Sequence, residues 1–167
     1  MSITKIQSES LNLADDYTFT GTVTGAGESN VPAFNVNLDT NTNISHDTPT
    51  LVPYNNKILD TDNCYSTSTY RFTPTVAGKY FIFASNRFST GTDIDNIWIA
   101  LRKNDSEIKR VYSRHEWYET IALNFIVDMN GTTDYLNVYC YHSLGSTVAV
   151  AGDSVATTNF GGYLLTA

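Results

Sequence analysis

The chain has 167 residues, enough for one domain with a core of its own. Aromatic residues make up 13% and charged residues only 16%, which excludes a disordered chain and points to packed β-structure. Seventeen acids against ten lysines and arginines give a net charge of -7, so the basic face that a nucleic-acid partner needs is missing, and the charge serves solubility.

Residues 1–30 differ from the rest. Ile3, Ile6, Leu11, Leu13, Tyr17, Phe19 and Val23 are spread thinly among Ser, Thr, Asp and Gly. Their spacing makes no heptad, which excludes a coiled-coil stalk. Tyr17 to Val23 alternates as a short strand, and Gly25 to Asn30 reads as a hinge. An arm this thinly apolar cannot fold alone, so it is expected to dock on its own body, on sister chains or on a larger assembly. Ile3, Ile6, Leu11, Leu13, Tyr17 and Phe19 are its docking candidates. No apolar signal core follows Met1 and no segment is long enough to span a bilayer. Cytoplasmic synthesis without membrane insertion is therefore expected.

The body begins at Val31. Phe34, Val36 and Leu38 alternate with polar residues as a half-buried strand. Asp39 to Pro49 and Asp60 to Thr69 read as polar loops. Tyr80-Phe81-Ile82-Phe83 alternates two apolar sets, so one face fills the core and the other needs a second burial partner. Ser89 to Asn96 reads as a loop. Ile97 to Leu101 is a strand, with Trp98 packed on it. Lys103 to Ser106 is a hairpin turn into Ile108–Tyr112. Arg114-His115-Glu116 reads as an exposed turn between strands. Thr120 to Met129 is a long apolar strand, and Asn130-Gly131 is a hairpin signal that sends Tyr135–Tyr141 back along it. Phe160 to Leu165 carries no charge, as a central strand would. About ten short strands with frequent turns and no helix predict an all-β sandwich.

Little in the chain offers chemistry. His46, His115 and His142 have no metal-ligand spacing. No nucleophile elbow and no phosphate loop is present, and the seventeen acids mark no carboxylate pair. Cys140 shares a strand face with Leu136 and Val138 and reads as a buried apolar residue. Cys64 falls in a polar loop, and a disulfide between the two is the less favoured reading. No cofactor is expected. Calcium is the one alternative, because Asp60, Asp62, Asp93 and Asp95 set oxygen ligands at alternate positions; turn residues have the same composition. Trp117 and Tyr118 flank a loop and are the candidates for surface recognition of a glycan or protein.

Tyr54, Asp60, Tyr65, Phe72, Gly78 and Tyr80 fall at the spacings of a family signature. The body resembles the globular head of C1q, in the C1q/TNF-like jelly-roll superfamily. Tyr54 stands where that family usually has Phe, and Ile82 and Ala84 where it has later aromatics. The Phe160-Gly161-Gly162-Tyr163-Leu164 run is similar to the family's closing strand, and Asp134 to Val138 to another of its strands. The resemblance covers residues 31–167 and implies a ten-strand jelly roll, extended here by the arm of residues 1–30. It also implies a homotrimer with Phe81, Phe83, Tyr163 and Leu165 at the threefold interface. Tyr54, Tyr65, Phe72, Tyr80, Ile82 and Cys140 would lie in the protomer core. Residues 5–23 resemble lead-ins of marine bacteriophage tail and fibre proteins. Together these resemblances imply a non-enzymatic virion protein, a tail-fibre or tail-tip component docked on other virion proteins through its arm. The alternatives are a decoration protein of the phage head and a secreted C1q-like ligand.

Overall fold

The computed structural model describes residues 31–89, 91, 94–115 and 118–167, with the backbone alone at 94, 95, 115 and 118. The arm candidates Ile3, Ile6, Leu11, Leu13, Tyr17 and Phe19 lie outside the described residues. So do Asp93, Trp117 and the side chains of Asp95 and Tyr118. All regular structure among the described residues is β. The strands are β1 (Ala33–Asn37), β2 (Thr42–Ile44), β3 (Thr50–Leu51), β4 (Asn56–Asp60), β5 (Tyr65–Ser66), β6 (Arg71–Phe72), β7 (Gly78–Ser89), β8 (Ile94–Lys103), β9 (Ser106–His115), β10 (Tyr118–Met129), β11 (Leu136–His142), β12 (Val148–Val150) and β13 (Asn159–Thr166).

They make two antiparallel sheets stacked as a jelly-roll sandwich. In the first sheet β7 is the pivot. One of its edges pairs along its whole length with β10. The other pairs with β13 from Lys79 to Ser85, then with β12 at Phe88 and Ser89. The sheet continues from β13 through β1 to β4, and from β12 to β2. The second sheet runs β5-β6-β11-β8-β9, with β3 also on β11.

The core lies between the sheets because strand side chains alternate. Tyr80, Ile82, Ala84 and Phe88 point inward from β7 against Ile97, Ile99 and Leu101 of β8 and Leu136, Val138 and Cys140 of β11. Phe34 is its aromatic centre: it stacks on Phe72 at 4.0 Å and meets Phe160 edge-on at 4.9 Å. Tyr54, Tyr65, Phe72, Tyr80, Ile82 and Cys140 are all at most 2% exposed.

Several local readings change. Asn130-Gly131 does not form a hairpin, because β10 belongs to the first sheet and β11 to the second. Asn130 Oδ1 accepts the amides of Thr132, Thr133 and Asp134. Gly131 has φ +69°, and a Cβ there would lie 2.3 Å from the Ala77 nitrogen. This is a capped crossover between sheets. The Asp39–Pro49 loop contains β2, whose Ile44 is buried. The strands flanking Ser89–Asn96 reach into it from both sides, and β9 runs through Arg114 to His115. Cys64 is buried as well, with its amide and Tyr65's donating to Asp60. Both cysteines are free.

Candidate self-association face

The residues of β7 that do not face the core build an apolar surface, and strand register decides its shape. Phe81 lies opposite Tyr163 of β13 on one side and Ile126 of β10 on the other. Tyr163 lies opposite Ala33 of β1. Ala33, Tyr163, Phe81 and Ile126 thus form one row across four strands. The Phe81 and Tyr163 rings touch at 5.6 Å between centroids. In the single chain Tyr163 is 44%, Leu165 46% and Ile126 54% exposed.

The next row runs Leu59, Asn35, Gly161, Phe83 and Asn124. Here Gly161 and Gly162 serve the two faces of one strand. A Cβ on Gly161 would lie 2.4 Å from the Phe83 ring, so the glycine lets that ring lie across β13. A Cβ on Gly162, on the core side, would lie 2.5 Å from Ile82 Cδ1. Leu59 is exposed beside this row, and Asn35 Oδ1 is buried with no hydrogen-bond partner among the described residues.

Polar groups frame the apolar rows. Below, Lys79 pairs with Asp128 at 2.7 Å. Above, Ser85 Oγ donates to the Thr157 carbonyl and Asn159 Oδ1. Phe81, Phe83 and Tyr163 therefore share one surface, whereas Leu165 is exposed at a register shift between Leu164 and Thr166, where the pairing does not place it in a row. Ile126 and Leu59 belong to that surface too and escaped the sequence reading. Ile126 shares the strand parity of Phe81 once the β7–β10 register is known.

The outer face of the second sheet has a different character. Arg71 lies over Tyr135 at 3.9 Å, Arg102 over Tyr139 at 3.9 Å and Arg110 over Trp98 at 4.1 Å. Trp98 also stacks on Tyr141 at 5.1 Å and is 4% exposed. Its rings are thus covered by the chain's own cations. Trp98 is packed, but on this outer face and not in the core.

The weak calcium candidates in the described residues have other duties. Burial alone would raise the Asp60 carboxyl. Hydrogen bonds from Lys57 and from the amides of Cys64 and Tyr65 outweigh it and hold that carboxyl below its ordinary value. Asp62 accepts a hydrogen bond from Thr75 Oγ1. No group of three or more metal-type side chains occurs among the described residues. A polar groove of about 400 Å³ is lined by Lys57, Asn63 and the Cys64–Ser68 turn, and its wall includes no carboxylate. The Cys64 thiol there is pushed up to about 12, by burial and then by Asp60, so it is no nucleophile at neutral pH.

The sequence profile of the C1q domain matches residues 33–165. The chain belongs to the C1q family. Its structure is similar to the globular domain of zebrafish complement 1qA protein, with a TM-score of 0.54 at 15% identity, covering 81% of this chain and 98% of that one. It is also similar to murine APRIL at pH 8.0, with a TM-score of 0.62 at 12% identity, covering 81% of this chain and 100% of that one. At these identities the likeness is one of fold. No curated protein sequence matches the chain. The C1q assignment accounts for the signature spacing in physical terms. Phe72 and Tyr80 meet edge-on in the core, and the Tyr80 hydroxyl donates to the Val76 carbonyl at 2.8 Å. Gly78 has φ +151° and no room for a Cβ against the Thr166 carbonyl. Domains of this family are in general binding modules.

Proposed function

We propose that this C1q-family chain is a non-enzymatic structural and binding protein that works as a homotrimer, with the Phe81 face at the threefold axis. The row Ala33–Tyr163–Phe81–Ile126 carries the reading. It leaves three large apolar side chains bare or half-bare on the outer side of the sheet, across β13, β7 and β10. Covering each would contribute roughly 2 kcal/mol. On the opposite sheet Tyr135, Tyr139 and Trp98 are already capped by arginines, so the two faces are not equivalent. Trimers are the usual assembly in this family. Light scattering at micromolar protein is expected to give three times 18.5 kDa. A stable monomer would remove this reading.

The setting we assign to the trimer is a bacteriophage virion. Support comes from residues 5–23, which resemble the lead-ins of phage tail and fibre proteins. In this reading residues 1–30 attach the trimer at the tail fibre or tail tip, and Trp117 and Tyr118 meet the host surface. Locating and counting the protein in purified particles tests it. Deleting residues 1–30 is expected to leave the jelly roll folded and to abolish incorporation. A position on the head shell would favour the decoration role, and absence from particles would favour a secreted ligand.

A further inference from the structure

Two connections cross between the sheets side by side at one end of the sandwich. One leads from β2 to β3, the other from β11 to β12. The strands they join also pair, β2 with β12 and β3 with β11. Two histidines hold the connections together. The His142 ring is fully buried, with Nε2 3.1 Å from the Ile44 carbonyl and Nδ1 3.2 Å from the Leu144 amide nitrogen. His46 Nδ1 lies 3.0 Å from the next amide nitrogen, that of Gly145, and its Nε2 is 3.1 Å from Asp47 Oδ2. The Asp47 amide donates to the His142 carbonyl at 3.0 Å.

An amide nitrogen can only donate, so both Nδ1 atoms must be acceptors. Both rings are then neutral with the proton on Nε2. That proton goes to the Ile44 carbonyl in one case and to Asp47 in the other. A second proton on either ring must sit on Nδ1, facing an amide N–H. We propose that His142 is an acid-released latch, with His46 packed beside it: neutral, its ring ties the Leu144 amide to the Ile44 carbonyl of the neighbouring connection; protonated, it lets the Leu144 amide go.

The surroundings decide which way the equilibrium runs. The two rings are 6.4 Å apart, so one cation disfavours the other. Asp47 is the carboxylate that faces them among the described residues, and it also accepts the Tyr141 hydroxyl at 2.6 Å. Tyr141 in turn lies on Trp98, under Arg110. Burial holds the His142 imidazole below its ordinary value of 6.5; the Ile44 carbonyl works against this, His46 adds to it and Asp47 opposes it. A depressed histidine contributes stability that is full above 6.5 and is lost as pH falls through the folded value. The latch is therefore shut at neutral pH and opens only below the ordinary histidine value. The contacts around Val138 in the core are apolar and involve no histidine proton.

The test is an NMR titration of the isotope-labelled full chain from pH 8 downward until the His142 ring has taken up its proton, following the histidine rings and amide exchange relative to the intrinsic rate. His142 is expected to titrate below the ordinary histidine value. As it does, Leu144 protection is expected to fall about tenfold or more, while Val138 in the core holds. Titration of His142 at or above the ordinary value, or Leu144 protection unchanged through it, would overturn the proposal. His142→Asn keeps a short acceptor for the Leu144 amide but cannot titrate, so its Leu144 protection is expected to lose its pH dependence. If His142→Asn does not fold, the native titration still decides.

Discussion

At the scale of single residues, Tyr54 shows how a departure from the family pattern is accommodated. Its hydroxyl is fully buried and donates to Asn86 Oδ1 at 2.6 Å. Burial pushes the Tyr54 phenol far above its ordinary value, so it remains a neutral donor. Asn86 Nδ2 has no partner of its own among the described residues. Tyr54→Phe is expected to cost about 1–2 kcal/mol, because Asn86 is then buried with its oxygen unpaired too. Tyr54→Phe with Asn86→Leu is expected to cost less than the single change, as measured by urea unfolding. Asp60 adds a pH-dependent contribution. Its folded value is depressed, so the stability it supplies is present above the ordinary carboxylate range and is lost as pH falls through the folded value. Asp60→Asn is expected to destabilise at pH 7 and to flatten the acid limb of the stability curve. An acid limb identical to the native one would show that Asp60 takes no part in it. The signature spacing from Tyr54 to Tyr80 was legible in the sequence because it repeats a pattern of burial. The burial of Cys64 was not, because it depends on Asp60 folding the turn back on itself.

At the scale of elements, β7 was readable from its alternation and β13 from its lack of charge. The glycine pair in β13 was not. Its meaning depends on which side chains lie opposite, and that is a matter of register. Gly162→Val is expected to cost about 1–3 kcal/mol through overpacking against Ile82, seen as a lower urea midpoint with unchanged slope. Gly161→Val is expected to lift Phe83 off β13 and to weaken self-association as well. The two Asn-containing turns make an instructive contrast. Asn104 and Asp105 have φ of 52° and 66°, and close a true two-residue hairpin between β8 and β9. Residues 130–135 also begin with a hairpin signal, yet they lead to the other sheet. Six residues can reach roughly 20 Å, ample for the ~10 Å between stacked sheets. A local turn signal says that the chain bends, not which strand it meets next.

At the scale of the molecule, the two outer faces predict opposite responses to charge. Tyr163→Glu or Ile126→Glu places an ion in the apolar row through Phe81. Each is expected to turn trimers into monomers by light scattering while the urea midpoint of the monomer changes little. Tyr112→Glu, an exposed site on the other sheet, is expected to leave the mass unchanged. If all three variants keep the native mass, the Phe81 face is not the interface. The sequence by itself determined the all-β class, the aromatic core and the two apolar faces of β7, because alternation along one strand reports burial directly. Only the tertiary structure decided that Ala33, Tyr163, Phe81 and Ile126 share a row, that β10 and β11 part company, and that His46 meets His142. Each of these joins segments far apart in the chain, and the pairing of distant strands is set by the packing of the whole sandwich rather than by any local run of residues.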